Sequence, residues 1–155
     1  MSTYSRIYIQ IVFAVRNRHA LIKPEWEERL FQYITGIVQK RGQKMYAING
    51  VENHIHFFIS ISPSCCLSDL VREIKKSSNV FINENKFSTY KFQWQEGFGA
   101  FSYGHSQVDK VVKYVMNQKE HHKKRTFKSE YMDLLKKFEI EFKEEYLFDF
   151  HDQSS

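Results

Sequence analysis

The chain has 155 residues, 42% of them hydrophobic and 16% aromatic, enough to build one domain around a core that needs no disulfide. Its two cysteines, Cys65 and Cys66, are neighbours, which excludes an ordinary structural bridge and a four-cysteine zinc site and is expected of reduced thiols in the cytoplasm. No stretch reads as a signal peptide or approaches the ~20 apolar residues of a membrane span, and Lys plus Arg outnumber Asp plus Glu by 23 to 18, giving +5 and a pI near 9.1, a balance that favours a polyanionic partner.

Ser5 to Val15 alternates Ile7, Ile9, Ile11 and Phe13 against Tyr8 and Gln10, which predicts a first strand. Pro24 opens a helix that carries Trp26, Leu30, Phe31, Ile34, Ile37 and Val38 at helical spacing and stops near Gly42. Lys44 to Asn49 reads as a short second strand, turning through Asn49-Gly50 into a third strand over Val51 to Ile61. After Ser62-Pro63-Ser64 a second amphipathic helix shows Leu67, Leu70, Val71, Ile74, Phe81 and Ile82 on one face and Arg72, Lys75 and Lys76 off it. Trp94 to Gly104 mixes aromatics with three glycines and predicts a final strand. A third helix is expected from about Ser106 to His122, and a further one from Ser129 to Glu145 before a fraying end.

The order β-α-β-β-α-β is that of an α+β, ferredoxin-like split βαβ fold, with an antiparallel sheet, helices packed on one face and the other face open, as in RNA-recognition folds of the same topology. One domain over 1–155 is expected, with a core of about 4–122 and a helical C-terminal extension of about 123–150. In the third strand Ile55, Phe57, Ile59 and Ile61 share one face, and His54, His56 and Ser60 share the other. Two imidazoles about 6–7 Å apart suit a divalent metal, although most such pairs are ordinary solvated histidines. On the third helix Val108, Val111, Val112, Val115 and Met116 form an apolar stripe, while Tyr114, Gln118 and His121 fall on another face.

Taken together, His54-Ile55-His56, the run from Trp94-Gln95 through Gly97-Phe98-Gly99-Ala100-Phe101-Ser102, and Tyr114-Val115-x-Asn117-Gln118-x-x-His121-His122 resemble the three signature blocks of single-tyrosine insertion-sequence transposases in the HUH endonuclease superfamily. The resemblance spans about Tyr4 to His122. It departs at Asn53, where many members have aspartate and relatives associated with repeated palindromic elements have asparagine.

The resemblance implies a DNA transposase in which Tyr114 is the nucleophile and His54, His56 and Gln118 hold Mg²⁺ or Mn²⁺. Single-stranded DNA is cut and rejoined through a 5′-phosphotyrosine link at element ends marked by subterminal hairpins. It further implies a homodimer whose tyrosine helix acts in trans, with Gly104 as the hinge. Arg72, Lys75, Lys76, Lys110, Lys113, His121, Lys123, Lys124 and Arg125 are the candidates for DNA backbone contact. Two other readings stand beside it: a domesticated relative acting on chromosomal palindromic repeats, and a catalytically inactive nucleic-acid-binding module. A metal-dependent hydrolase is disfavoured because no Asp or Glu cluster accompanies the histidines in the sequence.

Overall fold

Strand β1 (Ile7–Ala14) runs through the middle of a four-stranded antiparallel sheet of order β2-β3-β1-β4, in a computed structural model that describes residues 2–152. It pairs with β3 (His54–Ile61) on one side and β4 (Gly99–Tyr103) on the other, while β2 (Lys44–Val51) lies at the edge beyond β3. Helices α1 (Pro24–Lys40) and α2 (Leu67–Glu84) connect the halves of the expected split βαβ arrangement. Pro24 occupies the first turn of α1, and Gly42, at φ 80°, takes the left-handed conformation after its end. Among the described residues no helix is long and apolar enough to cross a membrane.

The first core lies between α1, α2 and one sheet face, where Ile11, Phe13, Ile55, Phe57 and Ile59 meet Leu30, Ile34, Val38, Leu70 and Ile74. The second face is covered too, contrary to the open face expected from the strand pattern. There α3 (Val108–Met116) sets Val111 and Val115 on Tyr8, Ala47 and Phe58, and α5 (Phe127–Lys137) sets Phe127, Tyr131, Leu134 and Leu135 on Val12, Ala14 and Phe101. The reason is in the strands. Val12 and Ala14 in β1 and Phe58 in β3 are apolar positions on the histidine side, and leaving them in water would forfeit roughly 25 cal/mol per Å² of burial.

Asn49-Gly50 is not the hairpin turn. Both residues continue β2, Asn49 opposite His56 and Gly50 opposite Ile55, and the chain turns at Glu52-Asn53. Gly50 serves close approach: a Cβ there would lie 2.6 Å from the His54 carbonyl oxygen and 2.8 Å from Ile55 Cγ2. The third helix is interrupted at Asn117, whose φ −98° and ψ 16° separate α3 from the short α4 (Gln118–His121). The Asn49 amide donates to the freed Met116 carbonyl (2.8 Å), and Lys119 Nζ reaches Asn49 Oδ1 at 2.9 Å and the Gly50 carbonyl at 3.2 Å. Gly104, at φ −80° and ψ 163°, is in extended backbone open to any residue, so its conformation does not single it out as a hinge.

Helix α5 is shorter than expected and ends before Glu139, which is left-handed at φ 53°. The chain to Asp152 then returns to the domain instead of fraying. Phe148 and Phe150 pack on Phe127, with ring centroids 5.9 and 5.0 Å away, and the Asp152 carboxylate accepts from the amides of Phe127 (2.9 Å) and Lys128 (3.0 Å) at the α5 N-terminus. The expected fraying of residues 153–155 lies outside the described residues. Replacing Gly50 by alanine should destabilise the protein by about 1–3 kcal/mol through forced separation of β2 and β3; urea unfolding measures this, and an unchanged midpoint would contradict the close approach.

Candidate functional site

β3 delivers His54 and His56 to the second sheet face, and the covering helices enclose them, so both are fully buried. α3 brings Tyr114, the bend at Asn117 turns Gln118 inward until it too is fully buried, and α5 supplies Glu130 at 3% exposure. Glu130 is the centre of the cluster. Its Oε2 accepts from the Tyr114 hydroxyl in a short hydrogen bond and from Gln118 Nε2 at 3.0 Å. Its Oε1 lies 2.9 Å from His56 Nε2, 3.2 Å from His54 Nε2 and 3.1 Å from His122 Nε2.

The opposite nitrogens of the three imidazoles are each held by an oxygen. His56 Nδ1 faces Gln10 Oε1 (2.8 Å), and Gln10 Nε2 in turn donates to the Tyr103 hydroxyl (2.9 Å). His54 Nδ1 faces Asn53 Oδ1 (2.7 Å), whose amide nitrogen donates to the Phe150 carbonyl (2.8 Å). His122 Nδ1 faces the Arg125 carbonyl (3.0 Å). Each imidazole thus has an oxygen at Nδ1 and the Glu130 carboxylate at Nε2, and a neutral ring with its single N–H satisfies only one of them; a ring that donates to the Nδ1 oxygen turns its Nε2 lone pair toward Glu130. Among the described residues, the buried His54 Nε2 makes no hydrogen bond of acceptable geometry despite its 3.2 Å separation from Glu130.

Electrostatics follow from this enclosure. Burial pushes the His54 imidazole down to about 4. Burial, and then the charge of Glu130, push the Tyr114 hydroxyl well above the usual phenol range. Burial alone would also raise the Glu130 carboxyl, but the imidazoles around it, His56 foremost, hold it far below the ordinary carboxylate range. The residues therefore fit a cation: buried nitrogen and oxygen donors converge around a carboxylate, and His54 Nε2 has no hydrogen bond there.

The structure brings Tyr114, His54, His56 and Gln118 together within one chain. His121 lies beside the tyrosine ring (centroids 5.0 Å), while its neighbour His122 reaches the cluster. Lys123, Lys124 and Arg125 line a groove of about 830 Å³ with Arg18, Lys23 and Lys119, and His122 opens onto the same groove. A smaller cavity of about 260 Å³ reaches Tyr114 and Glu130 and is lined by Lys110 and again by Arg125. Lys113 is exposed on α3. The α2 cations stand apart from the cluster. Arg72 pairs with Asp69 (2.8 Å), Lys75 Nζ is committed to the carbonyls of Gln95 (2.8 Å) and Gly97 (2.5 Å), and Lys76 is exposed.

The sequence reading missed Glu130: a metal-dependent hydrolase was disfavoured because no Asp or Glu cluster accompanied the histidines, and one carboxylate stands beside them. A signal existed: Phe127, Tyr131 and Leu134 form the buried stripe of α5, and Glu130 falls on that apolar stripe.

The transposase IS200-like family matches residues 3–118, more than half of the chain. The chain belongs to the IS200-like transposase family. No curated protein matches it. Among solved structures, a protein of Deinococcus radiodurans R1 assigned as a transposase aligns with a TM-score of 0.60 at 14% identity, covering 76% of this chain and 95% of its own. A REP-associated tyrosine transposase bound to a REP hairpin aligns with a TM-score of 0.58 at 20% identity, covering 79% and 74%. At these identities the likeness is one of fold.

Asn53 joins the cluster to the returning C-terminal segment. An Asn53→Asp change keeps an acceptor for His54 but sets a carboxylate against the Phe150 carbonyl and 3.4 Å from Asp152 Oδ1. The segment should loosen by about 1–3 kcal/mol, seen as faster hydrogen exchange at the Phe127 and Lys128 amides; unchanged protection would show that Asn53 does not hold it.

Proposed function

We propose that the chain cuts and rejoins single-stranded DNA through Tyr114, with a divalent cation, Mg²⁺ or Mn²⁺, held by His54, His56 and Gln118. The observation that carries this reading is the convergence of the Tyr114 hydroxyl, both imidazoles and the Gln118 amide on one buried point beside a basic groove. The Tyr114 oxygen attacks phosphorus, the bond from phosphorus to the 3′ oxygen breaks, and a 5′-phosphotyrosine forms. The phenol proton is lost as the oxygen–phosphorus bond forms, and the departing 3′ oxygen takes up a proton in its place. Attack by a different 3′-hydroxyl reverses the step, so neither ATP nor water is consumed. A bound divalent cation supplies positive charge that polarises the scissile phosphate and offsets the Glu130 charge opposing the phenolate.

The groove lined by Lys123, Lys124 and Arg125 is the proposed backbone track, and hairpin-bearing single strands are the proposed substrate class. Support for hairpins comes from the fold shared with a relative solved on one. A domesticated enzyme acting on palindromic repeats would use the same chemistry; a single gene copy without flanking element ends would point to it. An inactive binding module would hold hairpins without ever forming an adduct.

On a denaturing gel with Mg²⁺ or Mn²⁺ and labelled single strands tiled across both flanks of the gene, a covalent protein–DNA band is expected. It should vanish in Tyr114→Phe and in His56→Ala while hairpin binding persists; a band that survives in Tyr114→Phe sinks the assignment. The resemblance proposes a homodimer with its tyrosine helix in trans, whereas Tyr114 here contacts Glu130 and stands edge-on to His56 of its own chain. Mixing His56→Ala with Tyr114→Phe chains separates the two. The in-chain contact predicts no recovered band, and recovery in heterodimers would establish helix exchange.

A further inference from the structure

We infer that Glu130 and His122 join His54 and His56 as ligands of one cation, forming a site of three imidazoles and a carboxylate that prefers a nitrogen-seeking first-row ion such as Co²⁺ or Zn²⁺ over Mg²⁺. Both added residues lie beyond residue 118, where the match to the family ends. The inference rests on reading the histidine pair as a cation site, and not on the tyrosine chemistry.

The tautomers carry the first part of the case. If the Asn53 amide were reversed, its oxygen would meet the Phe150 carbonyl, so Asn53 presents an acceptor to His54 Nδ1. The acceptor at His122 Nδ1 is a backbone carbonyl, which has no alternative role. With a carboxylate oxygen also at each Nε2, a neutral ring leaves one side unsatisfied; a cation at the Nε2 atoms resolves this, each ring donating to its Nδ1 oxygen and turning a lone pair to the ion, and the Gln10 contact allows the same for His56. Histidines that ligate metals are held in this way, with the far nitrogen donating to an amide, carbonyl or carboxylate oxygen.

Spacing carries the second part. Donors about 2.1 Å from a tetrahedral ion stand roughly 3.4 Å from one another. Glu130 Oε1 is 2.9, 3.2 and 3.1 Å from the Nε2 atoms of His56, His54 and His122, and the ligand atoms of His54, His122 and Glu130 all lie within 4.8 Å of one another. An outward shift of a few tenths of an ångström would admit the ion. The buried His54 Nε2, without a hydrogen bond, is the donor that gains most. Gln118 Oε1, 3.2 Å from His122 Nε2, stands as a fifth donor.

Ligand chemistry decides the ion. Mg²⁺ prefers oxygen donors and keeps several waters, whereas imidazole nitrogen suits the later first-row ions, and this buried cluster offers three such nitrogens.

The test uses the full chain, stripped with a chelator and without DNA. Co²⁺ is titrated by its visible absorption and competed with Mg²⁺. Saturable binding is expected that millimolar Mg²⁺ does not displace, weakened about tenfold or more by Glu130→Gln and by His122→Ala. Circular dichroism controls for folding; if Glu130→Gln does not fold, His122→Ala, at the edge of the groove, decides. Affinity within threefold of the parent in the folded variants overturns the inference. So does tighter binding in Glu130→Gln, which would make the carboxylate a plug, or displacement by equimolar Mg²⁺. Loss of the DNA adduct with Co²⁺ binding intact would count against the Tyr114 reading alone, and an adduct formed by a chain indifferent to Glu130 and His122 would count against this inference alone.

Discussion

The carboxylate of Glu130 accepts hydrogen bonds from Tyr114 and Gln118 on one oxygen and faces three imidazoles with the other, so helices α3, α4 and α5 and strand β3 meet at a single buried charge. A buried carboxylate without such partners would be strongly destabilising, because removing an ion from water is expensive unless surrounding donors replace the solvent. The surrounding donors and the carboxylate thus depend on one another. The same carboxylate that stabilises the enclosure also opposes ionisation of the Tyr114 hydroxyl, and the chemistry of the site turns on how that charge is compensated.

The enclosure in turn needs the second layer of helices. Phe127 stacks on the His54 ring with centroids 3.7 Å apart, and the returning segment locks Phe127 in place through Phe148, Phe150 and the Asp152 cap. Asn53 reaches from the β2–β3 turn to that segment and to His54 at once. A polar chain therefore runs from the last described residues to the middle of the sheet, and the groove with its lysines and Arg125 opens beside it.

Much of the architecture was legible in the sequence because its signals are local. The alternation of β1 and β3, the helical spacing of α1 and α2, Pro24 and Gly42 each act through backbone geometry within a few residues. Three readings failed where a local signal was overridden by a distant contact. Asn49-Gly50 resembled a turn but is held in β2 by the approach of His54 and Ile55. The third helix looked continuous, yet Asn49 and Lys119 stabilise a break at Asn117. The histidine face looked open because His54, His56 and Ser60 are polar, while the apolar Val12, Ala14 and Phe58 beside them require cover.

By itself the sequence determined the order of strands and helices, the shared face of His54 and His56, and the one-turn spacing of Tyr114 and Gln118, since periodicity along a strand or helix follows from bond geometry alone. Only the tertiary structure decided that these groups meet in one pocket, that His122 and not His121 enters it, and that Glu130 sits at its centre. Glu130 is 74 residues from His56 along the chain, and no local pattern couples positions so far apart. Their meeting depends on which apolar faces must be buried together, a property of the whole packed molecule.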